Sequence, residues 1–223
     1  MSPSTDELIE RLSADLRPVE ILPPLSRAAA LGLTLAVGAA AASCLVAVAV
    51  GVFGSAPSRP GAWLAVAGHG AVAAGALAAA LGACVPGRIR LERAGLSIAG
   101  AGLAATVAIA VYLVALPTPA AAGLASGLTC LGLTLVPALL PAYFVTRFIG
   151  HGVPRRPVAT AVLGVVGIAA LVALPGHVAC GISDPLHLVF AHLLAPLLAG
   201  LVAIAWVPGT LAGARRTSRP QEI

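Results

Sequence analysis

Charged side chains are scarce in this sequence, and lysine is absent from it. Only 9% of the 223 residues are charged and 4% are aromatic, whereas 59% are hydrophobic. A globular protein of this length needs far more polar surface than this to remain in water. The composition therefore excludes most soluble folds and indicates a chain whose side chains face lipid.

Sequence signatures of enzymes are also missing. The chain contains no glycine-rich phosphate loop and no HExxH motif. Its apolar segments contain no Asp or Glu, the residues with which ion-coupled transporters carry protons or sodium. We therefore expect neither an enzyme nor an ion-coupled transporter.

Six apolar segments are long enough to cross a membrane. A helix rises about 1.5 Å per residue and the hydrocarbon core is about 30 Å thick, so a span needs about 20 residues. Turn-like stretches with proline separate the segments. The sequence predicts an all-α, polytopic membrane protein with six transmembrane helices, at about Ala28 to Val50, Ala62 to Cys84, Ala94 to Leu116, Gly123 to Phe144, Val158 to Leu174 and His187 to Val207.

The predicted spans are rich in alanine and glycine, which lets helices approach each other closely in lipid. Three stretches offer small-residue faces: Gly68 to Gly75, Gly95 to Gly102 and Gly123 to Gly127. These are the candidate helix contacts.

The arginines predict the orientation, because the positive-inside rule assigns arginine-rich borders to the cytoplasm. All but Arg59 fall in the two tails, the second loop and the fourth loop. We expect a multi-pass protein of the bacterial inner membrane with both ends cytoplasmic: segment 1–26, a transmembrane domain over 27–208 and a tail over 209–223. The net charge of +5 then faces anionic lipid of the bilayer, and we expect no direct contact with nucleic acid.

The N-terminal segment predicts a short amphipathic helix in the cytoplasm. Ser4 can cap it, with Glu7 completing a capping box, and Pro18 should end it. One stripe carries the apolar residues Leu8, Ile9, Leu12 and Leu16. The helix is too short to be stable alone, and its acidic balance suits a protein partner better than an anionic leaflet. With its acids and no unbroken apolar run, we do not expect this segment to be a cleaved targeting signal.

Reactive residues collect on the predicted periplasmic side. Within sixteen positions lie His177, Cys180, Asp184, His187 and His192, and the fourth span adds Cys130. Two chemistries fit this set. Two thiols can form a disulfide in an oxidising compartment, or thiolate and imidazole can bind Zn, Cd or Cu.

The candidate metal ligands are Cys130, Cys180, His177 and His187. Five residues separate His187 from His192, which on an ideal helix places them about 140° apart, so we do not expect these two to bind one ion together. A structural role is the alternative for each residue, because a helix-end histidine can satisfy backbone carbonyls and a small cysteine can simply pack. Cys44 is a rival partner for Cys130. We expect Cys84 to be inert, His151 to be solvated, and His69 to lie close enough to the outer end of its span to meet interfacial water.

Three features together resemble a known family: the opening DELIERLSADLRPVEILPP, the cysteine of the fourth span, and the fifth-loop motif CGISDPLHLVFAH. They are similar to those of the NrsF-type (DUF1109) membrane anti-sigma factors. The resemblance implies that the chain holds an extracytoplasmic-function sigma factor inactive and releases it under metal or oxidative stress. It assigns sensing to Cys130 and Cys180. The alternative function is a small membrane transporter or channel for metal ions, with the outer His and Cys residues at its mouth.

Overall fold

The computed structural model describes residues 4–14, 25–49, 51, 60–115, 124–152, 154–180 and 184–217. These residues form helices and no β-strand. The helices are α1 (Thr5–Ala14), α2 (Leu25–Ala49), α3 (Pro60–Cys84), α4 (Ile89–Ala115), α5 (Leu124–His151), α6 (Pro157–Ala179), α7 (Pro185–Leu188), a π-helix (Val189–Leu193) and α8 (Ala195–Thr217).

Six of these helices, α2 to α6 and α8, are long and apolar enough to cross a membrane. The predicted fold class is therefore confirmed. Several bounds differ from the prediction: α4 begins earlier, at Ile89, α5 continues to His151, and α6 continues to Ala179. The predicted last span is divided, because residues 185–193 form α7 and the π-helix and the apolar span itself is Ala195–Gly213.

Helices α3 and α4 pack along a seam of glycines. A Cβ built on Gly68 would lie 3.4 Å from the Gly102 carbonyl oxygen, and one built on Gly75 would lie 2.6 Å from that of Gly95. The residue numbers rise on one helix as they fall on the other, so the two helices are antiparallel. The predicted faces Gly68 to Gly75 and Gly95 to Gly102 are thus confirmed as a close contact, while Gly123 lies outside the described residues.

Helix α6 runs through the middle of the bundle, and 11 of its 23 residues are buried. Gly164 faces Val145 of α5, Gly167 faces Leu77 of α3, and Gly200 of α8 faces Val166. Helix α3 is antiparallel to α6, because Gly164 lies near Ala80 and Gly167 near Leu77. Helix α5 is antiparallel to α6 as well, because Gly164 lies near Val145 whereas the end of α6 lies near Cys130. Consequently the end of α6 near Ala179 meets the first turns of α3 and α5.

The N-terminal helix α1 is exposed at every described side chain. The backbone N–H of Glu7 donates to Ser4 Oγ at 3.2 Å, which confirms the predicted N-cap. Leu8 and Ile9 are 49% and 57% exposed, so this part of the apolar stripe is uncovered. The side chain of Leu12, and Leu16 as a whole, lie outside the described residues.

Candidate metal centre

Two cysteines and two histidines converge at the end of the bundle where α5 begins and α6 ends. One ligand atom from each of Cys130, Cys180, His187 and His192 lies within 4.8 Å of the others. Cys180 Sγ is 3.3 Å from His187 Nε2, within hydrogen-bonding distance for sulfur. No disulfide joins any of the four cysteines, all of which are described. We call this group the Cys2His2 cluster.

The Cys2His2 cluster brings together three of the four predicted metal ligands, with His192 in place of His177. The expectation that His187 and His192 point apart is wrong, and the π-helix is the reason. Its backbone pairs residues five apart, as in the bond from the Leu194 N–H to the Val189 carbonyl at 2.9 Å. Residues five apart therefore return to one face here.

The segment Pro175 to Pro185, predicted as a loop, is helical as far as Ala179. Pro175 removes one backbone hydrogen bond from α6, a loss that membrane helices commonly tolerate because neighbouring groups compensate. His177 is consequently a buried helical residue and stands beside the cluster, with its ring centroid 5.4 Å from that of His192.

Cys180 lies at the end of α6 and Asp184 at the start of α7. The Cys180 N–H donates to the Gly176 carbonyl at 3.0 Å and closes α6. Asp184 Oδ1 accepts the N–H of Leu186 at 3.1 Å, and Pro185 follows as the first residue of α7. Asp184 therefore acts as the N-cap of α7 and contributes to the cluster by placing His187.

Gly176 makes the space that His192 occupies. A Cβ built on Gly176 would lie 2.7 Å from Nδ1 and 2.8 Å from Cε1 of the His192 ring. No larger residue fits at this position while His192 keeps its place. The glycine before His177 is thus a part of the site that the sequence pattern did not identify.

A row of buried imidazoles continues from the cluster into the bundle. The ring centroids of His187 and His192 are 5.5 Å apart, and those of His177 and His69 are 4.4 Å apart. His69, which the sequence predicted to lie close to interfacial water, is on α3 and is 1% exposed. Its only sequence signal was a histidine within a span.

Several nitrogens of this row have no hydrogen-bonding partner among the described residues. They are both ring nitrogens of His69 and of His192, Nε2 of His177, and Nδ1 of His187. Backbone groups of Ala65 and His192 are close to the His69 ring, but neither meets the geometry of a hydrogen bond. A buried polar group left unpaired costs about 1–3 kcal/mol. These nitrogens are therefore available to a ligand.

A pocket with about 410 Å³ of empty space, part of it open to the surroundings, adjoins the cluster. It lies between α2, α5 and α6, and its lining includes Cys44, Cys130, Thr134, Cys180 and His192. Cys84 lies at the opposite end of the bundle, beside Gly152: a Cβ built on Gly152 would be 3.4 Å from the Cβ of Cys84. Of the four thiols, three therefore surround one pocket.

The Cys2His2 cluster can hold a metal ion. No protein-family model, curated protein or solved structure matches this chain. Its proposed function therefore depends on the chemistry of these side chains, on where the helices place them, and on the sequence motifs described above.

Proposed function

We propose that this chain is a membrane-bound anti-sigma factor that senses a metal ion or an oxidant at the Cys2His2 cluster and releases an extracytoplasmic-function sigma factor in response. The observation that carries the proposal is the convergence of two thiols and two imidazoles from α5, α6, α7 and the π-helix. The proposed location is the bacterial inner membrane, with the cluster on the periplasmic side. The arginine-rich connections at the other end of the bundle support this orientation.

The donor set favours a divalent, borderline-soft ion. Zinc binds sulfur at about 2.3 Å and imidazole nitrogen at about 2.0 to 2.1 Å, so tetrahedral donors stand roughly 3.5 Å apart. The cluster spans 4.8 Å at most and needs to contract by only about 1 Å to reach that geometry. Zinc, cadmium and copper are the ions that thiolate and imidazole select.

Charge balance supports the same conclusion. Two thiolates neutralise a divalent ion, and two neutral imidazoles add no charge. The loaded cluster is then neutral overall, which avoids the cost of placing a net charge in an apolar bundle. Binding also gives a partner to imidazole nitrogens that have none among the described residues.

Contraction of the cluster supplies a signal. Cys130 is in the first turns of α5, Cys180 ends α6, and His192 lies just before α8. Drawing these residues together by about 1 Å pulls three spanning helices toward one another, and small shifts between packed helices reach the far end of rigid elements. The oxidant alternative acts on the same elements, because a disulfide between Cys130 and Cys180 would also join α5 to the end of α6.

The effector is proposed to be α1. Leu8 and Ile9 leave an apolar surface uncovered on a helix with acidic residues around it, and α1 precedes the first span on the arginine-rich side. A sigma-factor surface that covers this stripe would complete its burial. Fully burying a leucine contributes about 1.5 to 3 kcal/mol.

The test is repression by the full chain. Co-expressed with an extracytoplasmic-function sigma factor encoded beside its gene, the chain should silence a reporter driven by that factor. Leu8→Asp should restore reporter output by more than about tenfold, because an apolar contact is lost and a carboxylate is placed in the interface. Ala14→Asp adds the same charge on the opposite face of α1 and should still repress. Normal repression by Leu8→Asp would exclude α1 as the binding surface.

The second candidate function, a metal transporter or channel, is favoured by one observation. The imidazoles of His192, His177 and His69 form a continuous row that leads away from the cluster. Cadmium flux into proteoliposomes containing the purified chain would support it, and tight binding without flux would support the sensor.

A further inference from the structure

We infer that the pocket beside the Cys2His2 cluster is the route by which a soft divalent cation reaches it, and that Cys44 is the thiol that captures the ion on the way. This inference rests on the metal centre of the proposed function. Two observations support the inference: the pocket itself, and His192 at its inner wall, whose ring nitrogens have no hydrogen-bonding partner among the described residues.

The exposure of the side chains that line the pocket falls from its outer wall to its inner wall. Cys44 and Ala47 on α2 are partly exposed, as is Cys180 at the end of α6, whereas Cys130 and His192 on the inner wall are buried, at 4% and 1% exposure. An ion that enters from the α2 side therefore meets Cys44 before it meets Cys130 and His192. Both ring nitrogens of His192 lack partners among the described residues, so the inner wall presents an imidazole ready to bind.

The hydroxyl groups that line the pocket are already hydrogen-bonded, so the thiols are the groups most available to an entering ion. Ser43 Oγ donates to the Ala39 carbonyl at 2.9 Å, and Thr134 Oγ1 donates to the Cys130 carbonyl at 3.2 Å. Each hydroxyl is therefore turned back to its own helix. The other polar side chains that line the pocket are the thiols of Cys44, Cys130 and Cys180 and the ring of His192. This set of donors favours a soft cation over a hard one.

The capture is a ligand exchange in which no electron is transferred. The hydrated ion loses water and bonds to Cys44 Sγ, whose proton leaves to water. When the ion passes to Cys130 and Cys180, their two protons leave and Cys44 takes one back. Cys44 is not a member of the final donor set, because its sulfur is not within the group that converges at the cluster. Its loss should therefore affect the rate of loading and leave the final affinity almost unchanged.

The experiment measures cadmium uptake by the purified full chain in lipid nanodiscs. Stopped-flow absorbance of the cadmium–thiolate bond gives the rate, and competition with a chelator gives the dissociation constant. Cys44→Ser should slow uptake by about tenfold or more, because the thiolate that first binds the ion is lost, with the dissociation constant within about threefold of the original. Cys44→Ala should behave in the same way. Cys84→Ser is the matched control, because it removes a thiol at the opposite end of the bundle, and it should load at the original rate.

The outcomes separate this inference from the proposed function. Unchanged uptake by both Cys44 variants would overturn the route while leaving the metal centre in place. A large loss of affinity in both would also overturn it, since Cys44 would then be a permanent ligand. Absence of cadmium binding by the unsubstituted chain would overturn the metal centre itself, and the route with it.

Discussion

Gly176→Ala offers the sharpest test of the metal centre, because it moves one proposed ligand without altering any donor atom. The added Cβ would lie 2.7 Å from Nδ1 of His192. Unbonded carbon atoms are most stable at about 3.5 to 4.0 Å, so the ring must retreat by close to 1 Å or rotate. His192 then leaves the group of four donors, or holds its place only with strain.

We expect the affinity for cadmium to fall by about 10- to 100-fold, the range seen when the support of a metal ligand is removed. That loss corresponds to about 1.4 to 2.8 kcal/mol. The assay is chelator competition on the full chain in nanodiscs. Cobalt provides a second readout, since its absorption spectrum reports a loss of tetrahedral coordination independently of affinity.

Gly132→Ala is the matched control for this substitution. It makes the same chemical change on α5, two residues from Cys130, and its built Cβ has nothing within 4 Å. Both substitutions replace a helical glycine by alanine, which by itself favours the helix by about 1 kcal/mol. Equal cadmium affinity in the two variants would refute the argument that His192 is a ligand held in place by the gap at Gly176.

Three further predictions concern orientation, packing and sensing. A reporter active only in the periplasm should be active when fused after Gly181 and silent when fused after Gly150; the reverse result would invert the proposed orientation. Gly75→Ala should lower the unfolding midpoint in detergent, at a cost of about 1 to 3 kcal/mol, because its Cβ would meet the α4 backbone; an unchanged midpoint would contradict the close seam. The double variant Cys130→Ser, Cys180→Ser should still repress its sigma factor but fail to respond to cadmium or an oxidant; full induction would make both thiols structural.

The spans could be predicted from the sequence because hydrophobic length alone determines them. The glycine seam between α3 and α4 was also predictable, since small residues are needed wherever two backbones approach in lipid. The ends of the helices were harder to predict from the sequence. Pro175 marks a loop in a soluble protein, yet in a tightly packed apolar bundle α6 continues through it to Ala179.

Which residues belong to the site depends on local backbone geometry and on contacts between distant segments, and the composition of the chain predicts neither. Cys130, Cys180 and His187 were identified because the alternating direction of the predicted spans places all three on the same side of the membrane. His192 was assigned to the wrong face because an ideal α-helix was assumed, whereas its backbone is a π-helix. His69 was missed because its neighbours in space, His177 and the π-helix, are more than one hundred positions away in the sequence.

The π-helix allows this segment to contain one amino acid more than an ordinary helix while the helices on either side keep their orientation. A π turn contains one residue more than the α turn it replaces, so deleting a single residue within 189–191 would restore an ordinary helix. Residues before the deletion would keep their orientation relative to α8, because five residues of a π-helix and four residues of an α-helix both complete about one turn. The deletion would also leave His187 and the second histidine four residues apart, a spacing that places two side chains on one face of an α-helix. A one-residue deletion here is thus a genetic change that a chain of this fold can accept with both its membrane architecture and its pair of histidines retained.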